Sequence, residues 1–308
     1  MDARTAFKTG IARLREAEVP SYTLAAELLL LHVAGRDRTW LYAHPEDEIS
    51  AEQERQLLAL LERRAHGEPT QHLTGKQEFW GLEFEVTPDV LIPRPETEHV
   101  VEAALDRLAV REIRAGRKQT LSGKGLRIAD VGTGSGCIAI ALAKDLPGAN
   151  FVATDISTAA LEVAQRNADR HKFADRIEFV HASLLEGIAN AATGRPRFDL
   201  IASNPPYISR REEPTLQREV RDHEPEIALY GGEEGYELYA ALVTQSAAHL
   251  VLGGIAVFEL GHDSLPAVQP LFDTPEWSHV GVTNDLAGIP RVIAAERTPH
   301  IGTVTNRA

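Results

Sequence analysis

From residue 126 onward, two kinds of apolar run alternate along the chain. The runs 126–131, 150–155, 176–180, 198–203 and 253–260 are short and nearly continuously apolar, whereas 136–146, 157–172 and 236–251 repeat their apolar residues at helical spacing. A strand that is apolar on both faces must be covered on both, so the alternation predicts β-α-β units and a mostly parallel sheet with helices on either side. His279 to Val282 and Arg291 to Ala295, separated by a short loop, are expected to form an antiparallel edge pair, giving seven strands.

The first 70 residues or so carry helical spacing only. Phe7, Ile11 and Leu14 predict a helix that stops near Pro20. Ser21 is placed to cap a second helix running through Leu24, Leu28 and Leu31 to Gly35. Ser50 and Gln53 predict a capping box for a third helix, with Leu57, Leu58 and Leu61 as its apolar stripe. Phe79-Trp80-Gly81-Leu82-Glu83-Phe84-Glu85-Val86 alternates about a glycine and predicts a short hairpin. Pro95 suits the first turn of a helix reaching about Arg114, and the polar, glycine-containing stretch 115–125 predicts a mobile loop. The expected division is a helical domain over 1–75, a hairpin and linker over 76–95, and a sheet domain over 96–308.

Composition narrows the function classes. The 43% hydrophobic and 25% charged fractions are those of a globular chain able to bury a core. A formal net charge of −13 gives no general attraction to phosphate backbones, so duplex nucleic acid is disfavoured as a partner. Cys137 is the only cysteine, which excludes an intrachain disulfide and cysteine-based metal clusters. The 12 histidines include no His-Glu-x-x-His arrangement, and no metal is expected. No stretch reaches eighteen apolar residues, and Met1 to Gly10 lacks an apolar core, so a cytoplasmic protein without a membrane span is expected.

Three constellations carry chemistry. Asp130-Val131-Gly132-Thr133-Gly134-Ser135-Gly136 follows the first strand and opens a helix, the place where a glycine turn lets a ligand approach the backbone. The spacing is Gly-x-Gly-x-Gly; a nicotinamide fingerprint would put its third glycine at position 137, where Cys137 stands. Asp155, at the end of the second strand, is placed to accept the hydrogen bonds of a ribose diol. Asn204-Pro205-Pro206-Tyr207 ends the fourth strand. Its prolines stiffen the backbone and leave carbonyls free, beside an amide and a flat ring, a combination that suits a planar NH2 group. Ligands of open α/β sheets sit at the carboxyl ends of the strands, so all three converge on one crevice.

Together these motifs resemble class I S-adenosylmethionine-dependent methyltransferases of the amino-group type. Gln71-His72-Leu73-Thr74-Gly75, Phe79-Trp80-Gly81, Leu91-Ile92-Pro93-Arg94-Pro95-Glu96-Thr97-Glu98, His223-Glu224-Pro225 with Gly231-Gly232, and Gly288-Ile289-Pro290-Arg291-Val292 resemble the PrmC/HemK family in particular. The resemblance covers nearly the whole chain. It implies a Rossmann-like, seven-stranded α/β fold with a small N-terminal helical bundle that contacts a protein substrate. It also implies methyl transfer to N5 of the glutamine in the Gly-Gly-Gln motif of class 1 peptide chain release factors. By the same resemblance Gly132, Thr133, Gly134, Ser135, Gly136, Asp155 and Leu184 hold S-adenosylmethionine, with Asn204 near its methyl end. Asn204, Pro205, Pro206 and Tyr207 receive the substrate amide, and Asn204, Pro205 and Tyr207 carry the catalysis. Arg94, Glu96 and Thr97 are expected to close over the methionine end. Ser183 stands where family members often have an aspartate. The competing readings are a nucleic-acid amino methyltransferase acting on adenine N6, a nicotinamide-dependent oxidoreductase, and a binding module without catalysis.

Overall fold

A computed structural model of the chain describes residues 1–116, 122–188 and 198–298; the loop expected over 115–125 therefore lies partly outside the described residues. The chain forms two compact units. One takes Met1–Lys76, Val86–Pro88 and Thr215–Glu224, and the other takes Gln77–Glu85, Asp89–Pro214 and the chain from Pro225 onward.

The first unit holds α1 (Ala3–Glu16), α2 (Tyr22–Ala34), α3 (Arg38–Ala43), α4 (Ala51–Ala65) and α5 (Thr70–Thr74). The capping box of α4 is reciprocal: Gln53 N–H donates to Ser50 Oγ at 3.2 Å, and Ser50 N–H donates to Gln53 Oε1 at 2.8 Å. Leu14, Leu29, Leu30, Leu57 and Leu61 fill the core. The expected stripe of α2 does not. Leu24 and Leu28 are 48% and 38% exposed, and the neighbouring Ala25, Ala26, Leu29 and Leu30 turn inward. α2 is apolar almost all round, so its periodicity selects no face. Close approach to α1 decides instead, since a Cβ on Gly10 would stand 3.1 Å from Ala26 Cβ. Ser21 adopts a left-handed conformation and caps nothing with its side chain.

In the second unit, β1 (Lys76–Phe79) and β2 (Leu82–Glu85) form the expected hairpin, with its first residue in the helical unit. Trp80 and Gly81 both have positive φ, 53° and 67°, as a two-residue turn of the type I′ kind requires. A 3₁₀ turn at Pro95–Thr97 leads into α6 (Glu98–Arg114). The alternation then follows as β3 (Arg127–Val131), α7 (Cys137–Asp145), β4 (Asn150–Asp155), α8 (Thr158–His171), β5 (Ile177–His181) and β6 (Phe198–Ser203). Beyond lie β7 (Ile208–Ser209), α9 (Arg218–His223, in the first unit), α10 (Glu226–Leu229), β8 (Tyr230–Gly232), α11 (Glu237–His249), β9 (Leu250–Glu259), α12 (Leu265–Val268), β10 (Trp277–Asn284) and β11 (Pro290–Arg297). The large sheet has the order β10-β11-β9-β6-β3-β4-β5. β9, β6, β3, β4 and β5 are parallel, and β11 and β10 are added antiparallel. One face is packed by α6 and α7 with Phe79 and Phe84 of the hairpin, the other by α11 together with Val268 and Phe272. The chain winds outward from β3 to β5 and then returns to β3's other side at β6, which creates a switch point above β3 and β6.

Candidate active site

At the carboxyl ends of β3, β4 and β6 lies a cavity of about 510 Å³. Gly132, Thr133, Gly134, Ser135, Asp155, Leu184, Asn204 and Pro206 line it; Gly136, Pro205 and Tyr207 are not lining residues. Arg94 and Thr97, from the turn before α6, complete one wall.

The glycine turn owes its shape to backbone anchoring. Gly132 and Thr133 N–H both donate to the Thr154 carbonyl, at 2.8 and 2.9 Å, and bring the turn against β4. Gly132 and Gly134 have φ of 71° and 54°, and a Cβ on either would meet nothing within 4 Å, so backbone rather than side chain faces the open space. Beneath the turn Asp130 is fully buried. Its Oδ2 accepts from Thr133 Oγ1 at 2.6 Å and from Ala139 N–H at 3.1 Å. Burial pushes its carboxyl up to about 6, against those two hydrogen bonds. Among the described residues Asp130 Oδ1 and Ser135 Oγ are buried without a partner.

Asp155 faces the turn. Its Oδ2 accepts from Gly134 N–H and its Oδ1 from Ser157 N–H, each at 2.9 Å, which fixes the carboxylate and leaves lone pairs for a ligand. Burial raises its pKa, and the backbone donors oppose the rise. Leu184 has the positive φ of 51°, and its carbonyl accepts from Thr154 Oγ1 at 2.8 Å.

Across the cavity, Asn204 Nδ2 donates to Thr97 Oγ1 at 3.0 Å. Tyr207 hydroxyl donates to Glu259 Oε1 at 3.2 Å, and Tyr239 hydroxyl donates to the Glu259 carbonyl at 2.7 Å. Glu259 is 1% exposed. Burial pushes its carboxyl up to about 7, against the hydrogen bond from Tyr207. The motif is braced from behind: a Cβ on Gly231 would fall 2.4 Å from the Pro206 carbonyl oxygen, and one on Gly261 would fall 2.9 Å from Tyr207 Cδ2. Nothing local in the chain announces Glu259 beyond a lone carboxylate closing the apolar run Ile255-Ala256-Val257-Phe258, because its partner Tyr207 lies far away in sequence.

Comparison with known proteins adds to this geometry. Residues 5–75 match the family described as PrmC N-terminal domain, and residues 118–223 match the methyltransferase small domain. The release factor glutamine methyltransferase of Koribacter versatilis is 42% identical over 297 residues, 96% of this chain and 99% of that protein. The protein of the same name from Chlorobaculum tepidum is 42% identical over 284 residues, 92% of this chain and 93% of that one. Among solved structures, the hMettl16 catalytic domain in complex with a MAT2A 3′UTR hairpin superposes with a TM-score of 0.54 at 18% identity, over 78% of this chain and 84% of that one. At that identity the likeness is one of fold.

Proposed function

The chain belongs to the release factor glutamine methyltransferase family, and from that premise we propose that it methylates N5 of the glutamine in the Gly-Gly-Gln motif of class 1 release factors, using S-adenosylmethionine. The cavity suits that cofactor. Its open backbone turn at Gly132 and Gly134 accommodates a ligand against the chain, and Asp155 offers ribose hydroxyls a fixed carboxylate. Gly132 to Gly136, Asp155 and Leu184 hold it. When bound, S-adenosylmethionine supplies an electrophilic methyl on a sulfonium; transfer leaves a neutral thioether, and the amide gives up one proton.

An amide nitrogen is a weak nucleophile because its lone pair is delocalised, so positioning must supply much of the rate. The observation that carries the reading is the polarity of Asn204. With Nδ2 committed to Thr97, its Oδ1 remains as an acceptor on a residue that lines the cavity. Asn204 Oδ1 and the Pro205 carbonyl accept from the substrate NH2, hold it in the attacking orientation and stabilise positive charge as it develops on nitrogen. Pro206 keeps the motif rigid, and Tyr207 gives the planar amide a flat neighbour. Arg94 and Thr97 close the methionine end of the cavity, with Glu96 in the same turn.

The test is Asn204→Ala. Turnover on release factor is expected to fall by about 100-fold or more, the loss typical of one oriented polar group in a transition state, while affinity for S-adenosylmethionine changes little. Unchanged turnover overturns the reading. Offering nucleic acid beside release factor in the same methyl-incorporation assay checks the substrate class, and incorporation into release factor alone is expected.

A further inference from the structure

We propose that Asn167, which does not itself line the cavity, is a positioning residue for the cofactor: it ties the glycine turn to the β1–β2 hairpin through Ser135, so that cofactor affinity and hairpin order are coupled. This rests on the reading that S-adenosylmethionine lies against that turn.

Asn167 lies on α8 and is fully buried. Its Oδ1 accepts from Glu85 N–H at 2.7 Å, and its Nδ2 donates to the Glu85 carbonyl at 3.0 Å and to the Ser135 carbonyl at 2.9 Å. The Glu85 backbone settles which end of the amide is which, because its N–H needs the oxygen and its carbonyl needs the NH2. Both Nδ2 protons are then committed, one to the hairpin and the other to the glycine turn. An aspartate of the same shape lacks those donors, and a leucine lacks the acceptor as well.

Each partner needs the bond. β1 and β2 form a sheet of two strands, too small to hold its own shape, and among the described residues no third strand pairs with β2. Asn167 stands in for it, meeting both the N–H and the carbonyl of Glu85 as a neighbouring strand's peptide groups would. Arg166 and His171 grip β2 from the same helix: Arg166 Nε donates to Glu85 Oε1 at 2.9 Å, and His171 Nε2 lies 2.9 Å from the Glu83 carbonyl. The glycine turn rests on α8 one helical turn earlier, where a Cβ on Gly136 would stand 3.2 Å from Ala164 Cβ. The Ser135–Gly136 peptide is thus held at both ends, its carbonyl by Asn167 and its N–H by the Thr133 carbonyl at 2.8 Å. Ser135 lines the cavity, so this backbone setting is the one a ligand meets. Asp89, Val90 and Leu91 follow Glu85 closely in the chain and line the cavity too, so one buried amide anchors two stretches of its wall.

S-adenosylhomocysteine, the cofactor without its methyl group, is the probe. Saturating the unsubstituted chain with it is expected to slow amide exchange in residues 82–85 at least about twofold more than in β10 and β11, because coupling between two sites is reciprocal. Asn167→Asp keeps the shape and the acceptor but puts an oxygen where both donors stood. In calorimetric titration its Kd for S-adenosylhomocysteine is expected to rise about 10- to 100-fold, the loss typical when the group that holds a binding residue is removed. Its KM for release factor is expected to stay within about threefold, and its hairpin no longer to respond to the ligand. Should Asn167→Asp not fold, exchange in the unsubstituted chain decides alone. A smaller rise in Kd for a folded Asn167→Asp, or a smaller difference in exchange, overturns the role of Asn167. An unsubstituted chain that does not bind S-adenosylhomocysteine at all removes the cofactor reading itself, and this role with it.

Discussion

Burying the Glu259 carboxyl has a cost. Its carboxyl lies near 7 in the folded chain, well above the ordinary glutamate range near 4.5, because burial penalises the charged form. Between those two values the folded chain holds a proton that the unfolded chain has released, so stability is greatest below about 4.5, falls as pH rises, and levels off above about 7. At about 1.4 kcal/mol per pH unit the loss is on the order of 3 kcal/mol. Glu259→Gln removes this dependence, and its melting temperature is expected to exceed that of the unsubstituted chain at pH 8 while the two converge near pH 5. Thermal melts across that range check the prediction. At this scale the sequence is informative where a residue's neighbours are local. The glycine turn, Asp155 and Asn204 are legible because each ends a strand, and strand ends share one edge of a parallel sheet. Thr97 is legible only as part of the turn before α6 and Glu259 not at all, since their partners lie 107 and 52 residues away, Asn204 for the one and Tyr207 for the other.

Among elements, the small parallel pair β7 and β8 braces the motif. Ile208 lies opposite Tyr230, and Gly231 follows directly, against the carbonyl of Pro206. A methyl group has no room there. Gly231→Ala is expected to push the Asn204 segment out of position, costing about 1–3 kcal/mol of stability as overpacking does, and turnover more than tenfold. Denaturant melts and steady-state rates measure the two effects, and an active Gly231→Ala enzyme would show that the brace is dispensable. Helices and strands themselves were legible from periodicity and capping, as the reciprocal bonds of Ser50 and Gln53 illustrate. What periodicity missed were short elements and faces. α3 and α5 have six and five residues, too few for a repeat to register. β9 begins at Leu250, inside the stretch expected to be helical, because an apolar run passing from helix to strand has no internal punctuation.

For the whole molecule, the chain order of the two units is less simple than their sequence suggests. Thr215–Glu224 belongs with the N-terminal helices, held there by Arg64, which is 5% exposed and pairs with Glu219. Removing one member of a buried pair leaves the other uncompensated. Arg64→Ala is expected to cost roughly 2–3 kcal/mol and to raise amide exchange selectively in residues 215–224, read by hydrogen-exchange mass spectrometry. Nothing in the local sequence of that segment announces its allegiance; a long-range ion pair does. Among the described residues no helix is long and apolar enough to cross a membrane. The strand order has a temporal meaning too. β6 docks on β3, as in the bond from Ser203 Oγ to the Val131 carbonyl 72 residues earlier, and β9 must then cover its other edge. A chain still in synthesis short of residue 259 would present β6 as a bare edge and leave Tyr207 without its carboxyl partner, inert and open to pairing with other chains. Competence to methylate therefore does not grow with chain length; it arrives at once, when the last strands close the sheet.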